Sequence, residues 1–171
     1  MWIREETAAD HEAIARVIGL AFAGARHASG NEASIVSALR AAGALSVARV
    51  ADVDGRIVGH AALSPVTLDD GSSGWFGLGP VAVDPADQGH GVGSALVRAV
   101  LAELPALGAR GCVVLGDPRW YARFGFRPLP TLRYGGAPAE YFQAVLVGEG
   151  AAPRAEVRYH PAFSSPPLSN A

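Results

Sequence analysis

The segment Leu78–Leu96, which reads LGPVAVDPADQGHGVGSAL, constrains the fold more than any other part of the chain. Its first residues predict a strand that ends at Val83, and a turn over Asp84–Asp87 follows. A glycine-rich loop then opens directly into a helix. A strand that passes through a short loop into a helix is one half of a β-α-β crossover, so the chain must form a sheet that a helix covers.

The remaining patterns place this unit near the middle of a longer series. The element order expected from periodicity and turn signals is β-α-α-β-β-β-α-β-α-β. Helices are expected over Ala8–Phe22, Glu32–Ala42, Gly91–Leu104 and Arg119–Phe124, and strands over Trp2–Glu5, Ser46–Val53, Arg56–Val66, Trp75–Val83, Gly111–Gly116 and Tyr141–Val147.

Two local signals refine the strands. Asp54-Gly55 is typical of a tight hairpin turn between two antiparallel strands. Pro80 has no N–H to donate to a ladder, so a bulge or an unpaired edge is expected near it. Hairpins come first and the crossover follows, which predicts an α/β (α+β) protein. We expect a mixed, largely antiparallel twisted sheet flanked by helices, in a single domain over 1–171, with a core at 2–147 and a tail at 148–171 that packs in part.

Composition excludes several classes of function. Half of the 171 residues are hydrophobic and 18% are charged, which is typical of a packed globular protein. The net charge of −2 does not suggest a nucleic-acid partner. No apolar run is long enough to predict a membrane span. All 14 basic residues are arginine, so neither a lysine-containing phosphate loop nor a lysine Schiff base is possible.

The single cysteine, Cys112, excludes an internal disulfide and a site with several cysteine ligands. It lies in an apolar strand pattern, and we expect it to be a small core residue and not a nucleophile. A reducing, cytoplasmic location is the expectation that follows from this cysteine usage.

The glycine-rich loop is suited to binding an anion. The first N–H groups of a helix have no internal partner, and the helix dipole adds partial positive charge. Gly89, Gly91 and Gly93 carry no Cβ to block a phosphate from those donors. Taken alone, the loop also fits a strand-to-helix turn that binds nothing. Its alternate glycines do not match the dinucleotide-binding spacing.

Three stretches together resemble the GNAT superfamily of N-acetyltransferases, in particular its YhbS-like branch. Gln88–Gly93 resembles the Q/R-x-x-G-x-G/A motif of that superfamily, and Val81–Pro85 resembles the strand and turn before it. Leu115–Phe126 resembles the segment in which a tyrosine precedes "FGF". The resemblance covers Leu78–Phe126 most closely, and the element order agrees over Trp2–Val147.

The resemblance implies a GNAT-type fold that holds acetyl-CoA, as a co-substrate, in a cleft of the splayed sheet. The backbone N–H groups of Val81 and Val83 would hold the acetyl carbonyl and the pantetheine arm, because Pro80 cannot donate. The pyrophosphate-binding segment would comprise Gln88, Gly89, His90, Gly91, Val92, Gly93 and Ser94. The His90 side chain either approaches the phosphate or faces solvent.

The implied chemistry is direct attack of an amine on the thioester, with no metal required. Val81 would polarise the carbonyl, and Tyr121 would give a proton to the departing thiolate. A phenol with an ordinary pKa near 10 is protonated at neutral pH and fits that role.

The base that accepts the ammonium proton is not fixed by the sequence. His60 on a strand, His27 in a loop and Glu140 before the last strand are candidates, and water is another. Each side chain also has a simpler explanation as part of a strand surface, a solvated loop or a solvated turn.

Two other functions stay open at this stage. A non-catalytic member of the same fold would bind acyl-CoA as a sensor or scaffold, and a nucleotide-binding module would use the loop alone.

The amine acceptor is a small molecule or a protein or peptide. A homodimer is also expected, because members of the resembling family often pair and Phe142, Tyr159 and Phe163 look like exposed apolar residues in sequence. The alternative is that these three residues cover the domain's own sheet.

Overall fold

The computed structural model describes residues 1–25 and 30–164, and four α-helices and ten strands lie within them. The helices are α1 (His11–Phe22), α2 (Glu32–Ala41), α3 (Val92–Leu101) and α4 (Pro118–Tyr121). The strands are β1 (Trp2–Glu5), β2 (Val47–Val53), β3 (Arg56–Pro65), β4 (Thr67–Leu68), β5 (Trp75–Val83), β6 (Gly111–Leu115), β7 (Arg127–Pro128), β8 (Leu132–Arg133), β9 (Phe142–Leu146) and β10 (Ala155–Arg158).

Seven strands form one mixed sheet in the order β1-β2-β3-β5-β6-β9-β7. Only β5 and β6 pair in parallel in this sheet, and α3 is the crossover between them. All other neighbours in it are antiparallel. The expected mixed, largely antiparallel sheet is therefore confirmed.

Helices cover both faces of this sheet because side chains alternate between the faces along each strand. α1 buries Ile14, Val17 and Ile18 in a cluster that also holds Val50 and Ala82 of the strands. α3 buries Leu96 and its apolar neighbours with Ala61 on the opposite face.

The hairpin between β2 and β3 has the expected turn. Asp54 and Gly55 adopt φ values of 52° and 85°. Two consecutive positive φ angles produce the twist that antiparallel strands need.

The centre of the sheet divides into a fork after Gly77. β5 pairs with β6 only over Trp75–Gly77. Beyond that point β5 stays paired with β3, while Val114 and Leu115 of β6 stay paired with β9. The register of β5 on β3 shifts between Ala61 and Leu63, opposite Pro80, so the predicted bulge is confirmed.

The tail contributes a strand that the sequence reading did not predict. β10 pairs antiparallel with β4 and parallel with β8, forming a second sheet of three strands. Ala155 and Val157 are buried there. These residues join the tail to the rest of the fold.

The apolar residues that suggested a dimer are not exposed on the surface of the chain. Phe142 is only 4% exposed. Tyr159 and Phe163 are partly buried against clusters of the same chain, and their rings lie 5.1 Å apart. The expectation that these residues are exposed was wrong, and the alternative holds: their side chains cover the chain's own sheet and α2. Among the described helices, none is long and apolar enough to cross a membrane.

Candidate functional site

The free edge of β5 lines the fork. The N–H of Asp84 donates to the carbonyl of Val58 on β3 at 2.8 Å. Because N–H directions alternate along a strand, those of Val81 and Val83 point away from β3, toward the side where β6 has separated. Two backbone donors therefore face the fork, at the positions that the sequence singled out.

The loop after β5 has the geometry of an anion site. Gly89 and Gly91 adopt φ values of 79° and 83°, which a residue with a side chain rarely adopts. The bond from the N–H of Ala95 to the carbonyl of Gly91, at 3.0 Å, closes the first turn of α3. The N–H groups before Ala95 in the helix therefore have no intrahelical acceptor. A Cβ added to Gly89 or Gly91 would meet no heavy atom within 4 Å, so the space in front of the loop is open.

Ion pairs hold this loop against the sheet. Asp87 accepts two hydrogen bonds from Arg56 at the start of β3, at 2.8 and 3.0 Å. This contact lowers the pKa of Asp87, so the carboxylate stays ionised and its charge is balanced by Arg56. Asp84 accepts from the N–H of Ala86 at 3.1 Å and pairs with Arg16 at 3.2 Å.

Two polar side chains of the Gln88–Gly93 motif contact backbone carbonyls just before the motif. Gln88 Nε2 donates to the carbonyl of Val83 at 3.0 Å, which leaves the Val83 N–H as the free group of that residue. His90 is exposed, and its Nδ1 lies 3.3 Å from the carbonyl oxygen of Asp87.

Gly93 has a different task from Gly89 and Gly91. A Cβ on Gly93 would lie 3.3 Å from Cζ2 of Trp120 and 3.5 Å from the Val83 side chain. The missing side chain therefore makes room for the indole, which packs on the first turn of α3. Trp120 therefore lies beside the loop.

Tyr121 is the last residue of α4 and directly follows Trp120. Asp117 begins this helix by accepting from the N–H of Arg119 at 2.9 Å. The Tyr121 ring contacts Trp120 and Phe126 at centroid distances of 4.8 and 5.9 Å. Burial, with a smaller effect of the nearby Cys112, raises the pKa of Tyr121 to about 12. The phenol is therefore protonated at neutral pH.

The structure brings the predicted acid and the predicted backbone donors to one region. Tyr121, Val81 and Val83 all pack against the core cluster on the α3 face. The glycine loop begins five residues after Val83, at the open end of the fork. The side chains of Val81, Val83 and Tyr121 therefore lie on one face of the sheet, and the loop follows after β5.

His60 lies apart from this group. Its side chain shares the opposite face with Val50 and Ala82 and is wholly buried. Nε2 lies 2.8 Å from Glu6 Oε2, and since an ionised carboxylate only accepts, Nε2 is the donor. Nδ1 is buried and has no partner within the described residues.

Glu140 is exposed in the turn Ala139–Tyr141, and His27 lies outside the described residues. Cys112 is completely buried, and burial raises the pKa of its thiol, so the prediction of a core residue is confirmed. Among the residues described, no group of three or more His, Cys, Asp or Glu side chains is placed to hold a metal ion.

Several residues that shape the site were missed in sequence. Arg56 and Arg16 hold the loop from 31 and 68 positions away, and such pairings have no sequence signal. Gln143 donates from Nε2 to the carbonyl of Gly116 at 3.2 Å, beneath Tyr121. Gly116 itself could have been noticed, because it ends a predicted strand and directly precedes Asp117-Pro118.

The site combines a forked mixed sheet, free backbone donors and an open helix N-terminus. An α/β protein with this site is suited to an extended ligand that carries an anionic group. Comparison with known proteins specifies this class. The family model described as the acetyltransferase (GNAT) domain matches residues 45–128. A GNAT family acetyltransferase from Brucella melitensis, solved in complex with acetyl-CoA, is 44% identical with a TM-score of 0.84. The match covers 95% of this chain and 97% of that one. This protein therefore belongs to the GNAT family of acetyltransferases.

Within the family the chain is similar to YhbS of Escherichia coli. The structure of YhbS in complex with CoA is 31% identical, covers 96% of this chain and 92% of that one, and gives a TM-score of 0.82. The curated protein of strain K12, an uncharacterized N-acetyltransferase, is 41% identical over 96 residues. That alignment spans 56% of this chain and 58% of the length of the relative.

Proposed function

We propose that this protein is an acetyl-CoA-dependent N-acetyltransferase that transfers the acetyl group to a primary amine. The observation that carries the proposal is the fork between β5 and β6, whose free backbone donors lead directly to an anion-binding loop. The similar proteins from Brucella melitensis and Escherichia coli, which were solved with acetyl-CoA and CoA, support the choice of ligand.

The cofactor would lie along the fork, with its pyrophosphate on the loop. The backbone N–H groups from Gly89 to Ser94 would surround the phosphates, and the helix dipole would favour their charge. The Val83 N–H would bind the pantetheine arm. Binding of a long ligand through many backbone groups fixes the thioester in one position, which lowers the entropic part of the barrier.

The reaction would proceed by direct attack. The amine nitrogen forms a bond to the thioester carbon, and the carbonyl oxygen gains negative charge that the Val81 N–H stabilises. The carbon–sulfur bond then breaks, and Tyr121 donates its hydroxyl proton to the departing thiolate. The tyrosinate is reprotonated from solvent, and the acetylated amine and CoA leave.

For the proton that the attacking ammonium must lose, we favour water over His60. The His60 ring is wholly buried, and its Nε2 donates to Glu6. A base must come within hydrogen-bond distance of the proton that it takes, directly or through one water. His60 would act only through such a relay.

The competing function is acyl-CoA binding without turnover, and Tyr121 separates the two. The test is a thiol-release assay with acetyl-CoA and a panel of small amines and peptides. We expect release with at least one acceptor and a Tyr121→Phe variant whose kcat is lower by about 10²–10⁴. CoA affinity should change little, because the ring and its packing are kept.

Tyr134→Phe is the matched control, because Tyr134 packs against the other core cluster. Its kcat should equal that of the wild type. Full activity of Tyr121→Phe would remove Tyr121 from the mechanism. CoA binding without thiol release from any acceptor would support the sensor function instead.

The acceptor and the cellular location belong to the proposal as well. The acceptor is a small amine or an amino group of a protein or peptide. A cytoplasmic location is proposed on the single cysteine of the sequence, whose thiol is buried.

A further inference from the structure

Two arginines and two aromatic rings form a cluster beside the loop, which we call the arginine–aromatic cluster: Arg98, Trp120, Arg123 and Phe124. The guanidinium carbon of Arg98 lies 5.4 Å from the centre of the Phe124 ring. That of Arg123 lies 5.4 Å from the centre of the Trp120 ring. The two rings touch edge to face at 5.0 Å. The rings orient both guanidinium groups, which limits the freedom that an exposed arginine usually has.

Neither arginine has a carboxylate partner in the part of the chain that the structure describes. Both side chains belong to exposed residues. Six other described arginines do form ion pairs: Arg4, Arg16, Arg40, Arg49, Arg56 and Arg133. What distinguishes Arg98 and Arg123 is that each also rests on an aromatic ring, so two oriented positive charges are available to an anion.

The cluster adjoins the loop at two points. Trp120 packs on Gly93 in the first turn of α3. Arg98 follows Ser94 by four residues on the same helix, so the two side chains are neighbours on one face. A ligand whose diphosphate lies on the first turn of α3 would extend within reach of both guanidinium groups.

Coenzyme A carries a phosphate monoester on the 3′ oxygen of the ribose whose 5′ oxygen bears the diphosphate. The monoester is therefore one sugar away from the loop. We infer that Arg98 and Arg123 bind this 3′-phosphate and make the protein select CoA over its 3′-dephospho form. Arginine suits the task, because its planar fork pairs with phosphate oxygens through two parallel hydrogen bonds. The inference rests on the proposed function, since it presumes that the diphosphate lies on the loop.

Calorimetric titration of CoA and of 3′-dephospho-CoA into the wild type and single variants tests it. We expect the wild type to bind CoA about tenfold or more tightly than the dephospho form. Arg98→Ala and Arg123→Ala should each weaken CoA binding by about three- to tenfold and leave binding of the dephospho form unchanged. The preference of the wild type should also shrink as salt is raised.

Arg110→Ala is the control, because Arg110 is exposed and precedes β6, whereas the cluster follows that strand. It should alter neither affinity. Equal affinity of the wild type for the two ligands would overturn this inference alone. Equal loss of both affinities in Arg98→Ala and Arg123→Ala would also overturn it, since the arginines would then act through packing of Trp120 and Phe124. Failure of the wild type to bind either ligand would overturn the proposed function itself.

Discussion

Tyr121 is positioned by the absence of a side chain beneath it. A Cβ on Gly116 would lie 2.5 Å from Cε2 of Tyr121, closer than carbon atoms approach in proteins. The carbonyl of the same glycine accepts from Gln143, which fixes the backbone at this point. The place of the phenol therefore depends on the missing side chain of Gly116.

Gly116→Ala should therefore displace the Tyr121 ring and lower kcat while leaving CoA affinity nearly unchanged. The reduction should be about tenfold or more, because small misplacements of a reacting group are costly. Combined with Tyr121→Phe, it should add little, since both changes act on the same proton transfer. Steady-state kinetics of the two single variants and the double variant measure this.

Gly136→Ala controls for the loss of glycine, because a Cβ there would meet no atom within 4 Å. Effects that add in the double variant would show that Gly116 acts on something other than Tyr121.

The sequence was most informative where the function depends on local geometry. Gly89 and Gly91 were predicted for the loop, and their positive φ angles agree with the need for glycine there. The contacts that hold the loop were not predictable, because Arg56 and Asp87 meet only after the chain has folded around β5. The contact of Gly93 was not predictable either, because its missing side chain makes room for the indole of Trp120, 27 residues further along the chain.

At the scale of elements, Glu6 joins four of them. It follows β1, accepts from Arg40 of α2 at 2.9 Å and from His60 of β3 at 2.8 Å, and lies 3.9 Å from His11 of α1. Burial alone would raise the pKa of Glu6, but the bonds from His60 and Arg40 outweigh it and lower the pKa to about 2. The folded state therefore favours the ionised carboxylate.

The sign of the resulting pH dependence follows from linkage. A carboxyl with a lowered pKa in the folded state stabilises the protein above its ordinary value near 4.5. That contribution is lost as the pH falls toward about 2. The difference in unfolding free energy between the wild type and Glu6→Gln should therefore shrink between these two values.

Urea unfolding at several pH values measures the difference, with the exposed Glu149→Gln as the control. A difference that is constant from neutral pH down to pH 3 would contradict the assignment.

The longer helices and strands were predictable because each has enough residues for its hydrophobic pattern to repeat. β5 matches its predicted bounds, and α1 and α2 agree within three residues. β4, β7 and β8 have two residues each, too few for alternation to be visible. The fork was expected only from the resemblance. It depends on where β6 leaves β5, a pairing between residues more than thirty positions apart.

At the scale of the whole molecule, the homodimer is still only a prediction. Its support in sequence no longer holds, because Phe142 is buried and Tyr159 and Phe163 pack within the chain. Sedimentation velocity at micromolar concentration measures the state directly. The prediction requires a species of twice the chain mass, and a single species of 17.6 kDa contradicts it.

The central claim is that the loop at the open end of the fork holds the pyrophosphate of acetyl-CoA. Gly91→Val places a branched side chain in the open space before the helix, where the phosphates would lie. The same change at Gly71 is a matched control, because its φ of 80° is close to the 83° of Gly91 and its surroundings are equally open. Gly71 lies in the turn before β5, at the other end of that strand. Both variants therefore carry similar backbone strain, and only one obstructs the proposed site.

Calorimetric titration of acetyl-CoA into the wild type and the two folded variants tests the claim. The wild type and Gly71→Val should bind acetyl-CoA with equal affinity at one site per chain. Gly91→Val should bind at least tenfold more weakly, because the branched side chain and the phosphates cannot occupy the same space. Undiminished binding by a folded Gly91→Val variant would contradict the account.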